Sequence, residues 1–394
     1  MSVTLSIVMA THNRRDVLLH TLEQLGKCGL PRSAFETIVV DNDSEDGTAD
    51  ALAHRDDVRL IGPRRNLGSC AKALGVEEAR GEFVLFLDDD SHPRPGSVER
   101  MLALFESRPR LGAAGFRVFL PDGSQESSAL PHVFVGCGVG LRRRALHEVG
   151  GLDASFFMQA EEYDLALRLL AGGWDVEVFD DLHVDHLKTP QARLSARTLM
   201  HDARNNLRVV ARYFPEPLAR IYREEWTQRY TWLAALADQH DALRQGLRAG
   251  RRLALLERWR YRAWRMTPEL VEHVLRLRET ERAMLALRVR GAARVTLVDL
   301  GKNVYAFWRA ARAAGLQVTA IADDRFCRAA RSYRGVPLLP LEEALCLDAD
   351  AFVIGNHSFA HAERRRAELL SRTRRPVHCW TPLPVAAKAA AGAT

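Results

Sequence analysis

An apolar segment followed at once by three aspartates constrains the fold of this chain more than any other feature. Residues 83–87 read Phe-Val-Leu-Phe-Leu and are followed by Asp88, Asp89 and Asp90. A continuous apolar run of this length is typical of a strand in a buried parallel sheet, and ligands of open α/β sheets collect at the carboxyl ends of such strands. We therefore expect the strand to deliver all three carboxylates into solvent at the functional edge of a sheet.

Asp88 and Asp90 form an Asp-x-Asp pair. Carboxylate oxygens are hard ligands that suit Mg²⁺ or Mn²⁺ bridging phosphates, and they also accept hydrogen bonds from ribose hydroxyls. An acidic turn that ends the strand before Pro93 would produce the same local sequence. Taken alone, the pair leaves a metal–diphosphate site and a simple turn as equal alternatives.

Two earlier apolar segments also end in polar residues. Residues 5–10 lead into Thr11, residues 37–40 lead into Asp41, and a helical pattern follows each of them. Three such strand–loop–helix units predict a parallel sheet with a nucleotide at its rim. Asp41 suits an acceptor for a base N–H, and Thr11 is placed where its loop approaches the same base. Capping of the next helix is the alternative, more so for Ser44 than for Asp41.

The order and spacing of these segments resemble those of a known family. Residues 6–14, 40–48, 65–68 and 87–90 are similar to four successive signatures of family 2 glycosyltransferases with the GT-A fold, and the resemblance extends to about residue 214. It implies transfer of a sugar from a nucleotide-diphosphate donor, assisted by a divalent metal and usually with inversion at the anomeric carbon.

The resemblance also implies roles for individual side chains. Asp41 would contact the base, Asp88 would contact the ribose, and Asp90 would bind the metal. Asn66 and Gly68 would belong to the same nucleotide site. The implied cofactor is Mn²⁺ or Mg²⁺.

A second acidic group begins a later helical segment. Glu161 and Glu162 precede an amphipathic pattern, and negative charge in a first helical turn is stabilising, which is a sufficient structural reason for both. An inverting displacement also needs a carboxylate to take the acceptor proton. Family 2 enzymes carry Glu/Asp–Asp here, followed by one residue and Asp-Leu, a pattern similar to residues 161–165. By that resemblance Glu162, one methylene longer than the usual Asp, is the predicted base, and Glu161 is the alternative.

One histidine is a candidate ligand for the metal. Residues 175–179 alternate as a strand and are followed by an acidic segment that ends in His186. Imidazole is acceptable to Mn²⁺ and would complete a site built from a carboxylate and phosphate oxygens. The resemblance implies a metal-binding or diphosphate-facing histidine shortly after this strand, and His186 matches better than His183. An ordinary structural histidine is the alternative.

Whole-chain properties are compatible with this interpretation. A chain of 394 residues exceeds what one hydrophobic core usually fills, so we expect several domains. The six cysteines show no paired spacing, which argues against a disulfide framework or zinc site and favours a reducing compartment. Neither a signal-peptide pattern nor an apolar run near the roughly 20 residues of a membrane span is found. We expect a cytoplasmic protein, soluble or peripheral at the inner face of the cell membrane.

Residues 215–290 are predicted to form a helical linker region rich in arginine. Residues 244–290 contain 13 Arg, no Lys and 5 Glu, and residues 258–265 interleave cations with aromatics. Such a surface suits anionic lipid headgroups, where a lipid-linked acceptor would be found; a solvated linker that packs its aromatics on a neighbouring domain is an equal alternative. Nucleic acid is not expected, because the net charge of +6 is modest and no recognition motif accompanies it.

Residues 291–394 predict a small Rossmann-like α/β domain. The predicted strands are residues 294–301, 317–324, 351–356 and 376–380. Their order resembles the N-terminal nucleotide-sugar-binding domain of sugar acetyltransferases. The loop after the first strand contains Gly301 but lacks the second and third glycines of a dinucleotide fingerprint, so a structural or partner-docking role is the first expectation.

The complete prediction is an α/β chain with a GT-A nucleotide-diphospho-sugar transferase domain (residues 1–214), a helical region (215–290) and a Rossmann-like domain (291–394). Its activity would be metal-dependent transfer of a sugar to a saccharide or lipid-linked acceptor, in the synthesis of a bacterial surface polysaccharide or glycolipid. Two alternatives stay open. One is an inactive nucleotide-sugar-binding protein on the same scaffold. The other is a nucleotidyltransferase, which would require a glycine-rich loop after the first strand, where residues 11–15 contain no glycine.

Overall fold

The structure is a computed structural model that describes residues 3–27, 29, 31–188, 195–327 and 331–379. The chain divides into two compact units. The first unit comprises residues 1–126, 132–214 and 234–265, and the second unit comprises residues 127–131, 215–233 and 266–394.

The first unit is built on a mixed sheet. Within the described residues its strands are β1 (Leu5–Thr11), β2 (Phe35–Asp41), β3 (Val58–Ile61), β4 (Phe83–Leu87), β5 (Ser91–Pro93), β6 (Leu111–Phe119), β7 (Gln125–Glu126), β8 (Gly138–Arg142) and β9 (Asp175–His186). Their order in space is β3-β2-β1-β4-β8-β6-β9-β5, and β7 pairs with β6. The first four strands are parallel, whereas β8 runs antiparallel to both β4 and β6.

Helices follow the strands of this sheet. They are α1 (Arg15–Leu25), α2 (Thr48–Leu52), α3 (Lys72–Glu78), α4 (Ser97–Ser107), α5 (Arg143–Val149), α6 (Glu161–Ala171), α7 (Ala196–Tyr213) and α9 (His240–Arg260). The intervening helix α8 (Leu218–Ala237) contains the boundary between the two units. Side chains of the central strands, including those of Leu5, Ile7, Leu85 and Leu87, are fully buried, as continuous apolar runs predict.

The second unit has its own sheet. Its strands are β10 (Arg294–Val298), β11 (Gln317–Ala322), β12 (Ser332–Tyr333), β13 (Val336–Leu339), β14 (Ala351–Ile354) and β15 (Val377–His378), in the order β12-β13-β11-β10-β14-β15. All described pairs except β12–β13 are parallel. The helices are α10 (Pro268–Val274), α11 (Leu277–Val289), α12 (Val304–Ala313), α13 (Leu341–Cys346) and α14 (Phe359–Arg372).

The α/β fold class is confirmed, with an N-terminal sheet domain, a helical middle region and a C-terminal sheet domain. Several strand ends differ from the prediction, those of β9 and β10 by the most. β10 ends at Val298 because Asp299 adopts a left-handed backbone with φ 70°. β9 continues beyond residue 179 to His186, since β5 and β6 both pair with its second half. His186 therefore stands at the end of a strand. Trp380, in the last predicted strand, lies outside the described residues.

Two expectations about the whole chain can be compared with the structure. Among the described helices, none is long and apolar enough to span a bilayer. The described cysteines are all free thiols: Cys70, Cys137, Cys327, Cys346 and Cys379. Cys28 lies outside the described residues.

Candidate functional site

The three aspartates that follow β4 differ in exposure. The side chain of Asp88 is 39 % exposed, whereas those of Asp89 and Asp90 are each 6 % exposed. The expectation that all three face solvent is therefore wrong for Asp89 and Asp90. Arg14, which follows β1, stabilises these two carboxylates in their buried positions. It donates one hydrogen bond of 2.7 Å to each of them. A single guanidinium thus compensates two buried charges.

Asp89 links the end of β4 to β1 and α1. Its Oδ2 accepts a hydrogen bond of 2.7 Å from the Thr11 hydroxyl, and its carbonyl accepts one of 2.7 Å from the Thr21 hydroxyl. Burial raises the pKa of Asp89 to about 6, although Arg14 opposes this rise. Thr11, a predicted nucleotide contact, therefore uses its hydroxyl within the protein.

Asp90 and His186 lie side by side at the ends of two elements. Nε2 of His186 is 3.1 Å from Oδ1 of Asp90, and its Nδ1 is 3.2 Å from a carboxylate oxygen of Glu126. Burial alone would raise the pKa of Asp90, but His186 and Arg14 outweigh burial and lower this pKa to about 2. Burial lowers the pKa of His186, and its acidic partners raise it above the ordinary value. Asp90 is therefore ionised near neutral pH.

These side chains fit a divalent cation. Donor atoms of Asp88, Cys137 and His186 lie within 4.8 Å of one another, and Asp90 contacts His186 directly. The thiol of Cys137 is a soft donor and is less suited to a hard cation than a carboxylate. The two carboxylates and the imidazole remain, and that donor set suits Mn²⁺.

Lys72 is a site residue that the sequence did not reveal. It begins α3, yet its ammonium is buried and donates to Oδ1 of Asp88 at 2.6 Å and to the carbonyl of Gly136 at 3.0 Å. Burial lowers the pKa of this amine, but Asp88 more than compensates and the pKa is raised. Lysine is rarely buried unless it is paired, so only the folded structure identifies Lys72 as the cation that orients Asp88.

Asp41 ends β2, beside Thr11 of β1, and is 4 % exposed. Its Oδ1 accepts the backbone N–H of Ser44 at 3.2 Å. Helix α2 begins further along, at Thr48, whose N–H and hydroxyl both donate to Asp46. Asp46 rather than Asp41 or Ser44 therefore satisfies the start of the next helix, and the capping alternative does not account for Asp41.

The loop that contains Asn66 and Gly68 packs against the segment before α6. The side-chain oxygen of Asn66 accepts the N–H of Gly68 at 2.8 Å. Gly68 has φ 67°, and a Cβ atom there would overlap the carbonyl oxygen of Phe157. Asn42 holds the loop from the other side, accepting the Leu67 N–H at 3.0 Å and donating to the Gly68 carbonyl at 3.1 Å. Glycine is therefore required at this close approach.

Glu161 and Glu162 begin α6, as predicted. Glu161 is 8 % exposed; one of its oxygens accepts a hydrogen bond from the Ser69 hydroxyl, and the other has no partner among the described residues. Glu162 is more open and lies against Gly136, where an added Cβ would be 3.2 Å from its Oε1. Burial raises the pKa of both groups, and the Glu161 charge raises that of Glu162 further, well above the ordinary value.

The turn before α6 has unfavourable backbone torsion angles, and hydrogen bonds from a side chain of α7 stabilise it. Phe157, Gln159 and Ala160 have φ of 67°, 68° and 64°, a region that costs non-glycine residues about 1–3 kcal/mol each. The Asn205 side-chain amide donates to three carbonyl oxygens of residues 156–159, at distances between 2.7 and 3.1 Å. One asparagine therefore holds the turn that orients the paired glutamates.

A buried ion network supports α6 from behind. Arg212 of α7 contacts Asp164 of α6 at 2.6 Å and Glu257 of α9 at 2.9 Å. Asp164 also pairs with Arg168 at 2.5 Å, and Glu257 pairs with Arg208 at 2.7 Å. These side chains are each at most 6 % exposed. Helix α9, which was predicted to be part of a linker, thereby contributes a charge to the network that supports α6.

The second unit contains a separate cleft of about 390 Å³ at the carboxyl ends of β10 and β11. Asp299 within it pairs with His361 at 2.8 Å and with Arg365 at 3.1 Å. Gly301 lines the same cleft and approaches Gly355 so closely that a Cβ atom would be 2.9 Å from its carbonyl oxygen. Two cations of the cleft are therefore paired with Asp299.

Two family models match overlapping parts of the chain. The model for glycosyl transferase family 2 matches residues 6–129, and the model for glycosyl transferase family group 2 matches residues 118–279. Together they support a family 2 glycosyltransferase. Both matches end before residue 280, so the resemblance of residues 291–394 to a sugar acetyltransferase domain is not confirmed.

Similar proteins were found in several organisms. An uncharacterized glycosyltransferase of Haemophilus influenzae is 24 % identical over 184 residues, which cover 42 % of this chain and 62 % of the relative. An N-acetylglucosaminyl-diphospho-decaprenol L-rhamnosyltransferase of Mycobacterium tuberculosis is 29 % identical over 189 residues, which cover 35 % of this chain and 61 % of the relative. The chain thus spans about three fifths of the length of these relatives. A mannosyltransferase of Pyrobaculum calidifontis, in complex with GDP-Man and Mn²⁺, has a TM-score of 0.48 and 20 % identity, covering 67 % of this chain and 84 % of that one.

Proposed function

We propose that this chain is a metal-dependent, inverting glycosyltransferase that moves a sugar from a nucleotide-diphosphate donor to a saccharide or lipid-linked acceptor. The observation that carries the proposal is the meeting of two groups of carboxylates. Asp88 and Asp90 follow β4, and Glu162 begins α6 with Glu161. Lys72 donates to Asp88 and also to the carbonyl of Gly136, and Glu162 lies against that same glycine. The two family matches support glycosyl transfer in general.

The donor nucleotide would lie at the ends of β1, β2 and β4. In the proposal, Asp41 accepts a base N–H, and Asp88 accepts a ribose hydroxyl with the part of its carboxylate that remains open to solvent. Lys72 holds one oxygen of Asp88 in place. Asn66 and Gly68 shape the adjoining loop, where the glycine allows the backbone to come close to a ligand.

The diphosphate would need its charge compensated. Asp90 and His186, with Asp88 beside them, are the proposed ligands of Mn²⁺ or Mg²⁺, and Asp90 is ionised for that purpose. The chemistry that a bound cation supplies is neutralisation of the leaving diphosphate. Arg14 keeps Asp89 and Asp90 oriented from the opposite side.

Glu162 is the proposed general base. It takes the proton of the acceptor hydroxyl while that oxygen bonds to the anomeric carbon. The bond from the same carbon to the diphosphate oxygen breaks on the opposite face, so the configuration inverts and the nucleoside diphosphate leaves. Its raised pKa suits this task, because a base is most effective when its pKa is near the working pH. Glu161, bound to Ser69, would position the donor loop.

The biological setting is proposed on the same basis. The name of the mycobacterial relative includes a decaprenol-linked substrate, which supports a lipid-linked acceptor here. We place the chain in bacterial surface polysaccharide or glycolipid synthesis, in the cytoplasm and peripheral at the inner face of the membrane. The chemistry belongs to residues 1–214. Residues 215–290 form a helical region, and residues 291–394 have a structural or docking role.

The decisive experiment is a screen of the full chain against UDP-, GDP- and dTDP-sugars. Thermal stabilisation and nucleoside-diphosphate release are measured with Mn²⁺, with Mg²⁺ and with excess chelator. We expect one donor to stabilise the protein only when metal is present and to be hydrolysed slowly or transferred. Stabilisation without turnover on any acceptor would favour the inactive binding protein, and release of pyrophosphate from a nucleoside triphosphate and a sugar phosphate would favour the nucleotidyltransferase.

A further inference from the structure

Helix α9 has two chemically different sides. One side packs on α7: Ala242, Leu243, Gly246, Gly250 and Glu257 are buried. Gly246 lies so close to α7 that a Cβ atom there would overlap the carbonyl oxygen of Met200. This side belongs to the core of the first unit and contributes Glu257 to the buried ion network.

The other side of α9 is exposed. We call it the α9 outer face; it consists of Arg244, Arg248, Arg251, Arg252, Leu255, Leu256, Trp259 and Arg260. Leu255, Leu256 and Trp259 are 80 %, 57 % and 67 % exposed. The sequence has one acidic residue between positions 242 and 262, and it is the buried Glu257. The outer face therefore combines arginines with large apolar side chains. An exposed carboxylate, that of Asp241, stands at its beginning and pairs with Arg244.

The two kinds of side chain occupy the same arc of the helix. At 3.6 residues per turn, Arg248, Arg252, Leu255 and Trp259 project within about 60° of one another. Arg248 and Arg252 also border a groove of about 350 Å³, whose other end is lined by the paired Asp241 and Arg244. Arginines one turn apart along such a groove are placed to form paired hydrogen bonds with phosphate oxygens.

We propose that the α9 outer face binds the surface of a membrane rich in anionic phospholipid. The arginines contact headgroup phosphates, while Leu255, Leu256 and Trp259 enter the boundary between headgroups and acyl chains. Tryptophan prefers this boundary because its ring is apolar and its indole N–H is polar. The contact extends the proposed function, since it would hold the enzyme where a lipid-linked acceptor is found.

The combination of arginines and apolar side chains on the α9 outer face favours a lipid surface over the other possible binding partners. Nucleic acid would engage the arginines but would leave three exposed apolar side chains without a partner. A second copy of the chain, docked through the same face in a two-fold dimer, would bring the two arginine rows against each other. An anionic membrane satisfies both kinds of side chain at once.

The test measures binding of the full chain to vesicles, with neither donor nor acceptor present, so its result is independent of transferase activity. Vesicles of phosphatidylcholine alone are compared with vesicles that also contain phosphatidylglycerol. We expect sedimentation with the mixed vesicles only, and weaker sedimentation as salt is added. Arg248→Glu with Arg252→Glu should reduce the partition coefficient by roughly 30-fold or more. Arg220→Glu with Arg223→Glu, which changes two exposed arginines of α8, is the charge-matched control and should have little effect.

The apolar part of the face is tested separately. Leu255→Ser with Trp259→Ser should weaken vesicle binding, whereas Leu285→Ser with Val289→Ser, an exposed pair of the same spacing on α11, should not. Vesicles should also shift tryptophan emission to shorter wavelength, and Trp259→Phe should abolish that shift. Equal binding by both arginine variants, no binding to anionic vesicles at low salt, or a dimer that the Leu255→Ser, Trp259→Ser variant dissociates would each overturn the proposal.

Discussion

The hydroxyl of Ser69 donates a hydrogen bond to the carboxylate of Glu161, joining two residues that are 92 positions apart. Ser69 follows Gly68 in the predicted donor loop, and Glu161 is the first residue of α6. The contact occupies one oxygen of Glu161, while Glu162 beside it is more open. Two adjacent carboxylates in different environments are suited to different roles, so we expect Glu161 to position the loop and Glu162 to act on the acceptor.

The first prediction concerns the base. Glu162→Gln should leave donor affinity and metal dependence nearly unchanged and should lower turnover by about 10² to 10⁴, the usual contribution of a general base. The amide is close in size to the carboxyl group but does not accept the proton at neutral pH. Titration calorimetry of the donor and steady-state kinetics separate binding from the chemical step.

Glu161→Gln is the matched control. An amide in this position still accepts the hydrogen bond from Ser69, so we expect a milder loss of turnover and a change mainly in the apparent donor affinity. If Glu161→Gln is the inactive variant and Glu162→Gln the active one, the base is Glu161. Activity in both variants would mean that the pair is structural.

The second prediction is a pH dependence. Burial and the Glu161 charge raise the pKa of Glu162 well above the ordinary 4.5. Because a general base acts only when it is deprotonated, kcat/KM should fall as the pH is lowered through this raised pKa and should level off above it. The acidic limb should therefore lie at a higher pH than an ordinary glutamate would produce, and Glu162→Gln should remove it. An unchanged limb in that variant would assign the titration to another group.

The sequence predicted the strand ends that build the candidate site, because strand ends are encoded locally. Asp41, Asp88 and Asp90 each follow an apolar run, and the end of a buried parallel strand is where ligands collect. The start of α6 at Glu161 was also predictable from the local sequence, because acidic residues are favourable in the first turn of a helix.

The partners of these groups were not predictable, because they come from distant parts of the chain. Lys72 reaches Asp88, Arg14 reaches Asp90, and Asn205 holds the turn before α6. A lysine at a helix start or an asparagine within a long helix has no local signal that separates it from a solvent-exposed residue. The burial of Asp90 was missed for the same reason, since it depends on a guanidinium 76 positions away.

The third prediction concerns the glycine of the donor loop. Gly68→Ala forces an L-residue to φ 67° and places a Cβ against the Phe157 carbonyl, so it should displace the loop and lower donor affinity as well as the free energy of unfolding. Gly123→Ala is the control: its φ is 78°, but nothing lies within 4 Å of an added Cβ. It should cost only about 1–2 kcal/mol of backbone strain and leave donor affinity intact. Equal effects of the two variants on donor affinity would contradict a specific role for Gly68.

The fourth prediction concerns the buried ion network. Arg212→Met leaves Asp164 and Glu257 with one fewer cation each, and breaking a buried ion pair typically costs about 3–5 kcal/mol. We expect the lower end of that range in urea denaturation, because Arg168 and Arg208 remain as partners. Arg244→Met, which removes an exposed partner of Asp241, should leave the unfolding midpoint unchanged. A midpoint for Arg212→Met equal to that of the wild type would show that the network does not stabilise the first unit.

The last prediction concerns the metal. Asp90 is buried and binds both Arg14 and His186, so Asp90→Asn, which keeps the shape and part of the hydrogen bonding, is a better test than truncation to alanine. Loss of a residue that merely supports a metal ligand costs 10–100-fold in metal affinity, and loss of a ligand itself should cost at least about that much. We therefore expect Asp90→Asn to abolish the part of the donor affinity that depends on Mn²⁺ or Mg²⁺, while the weaker binding measured in excess chelator stays as in the wild type. Asp181→Asn, an exposed carboxylate of β9 paired with Arg100, is the control and should behave as the wild type. Calorimetric titration of the donor with metal and with chelator distinguishes these outcomes, because a variant that only misfolds would lose both kinds of binding. Full transfer by Asp90→Asn, or by the wild type in excess chelator, would falsify the metal assignment.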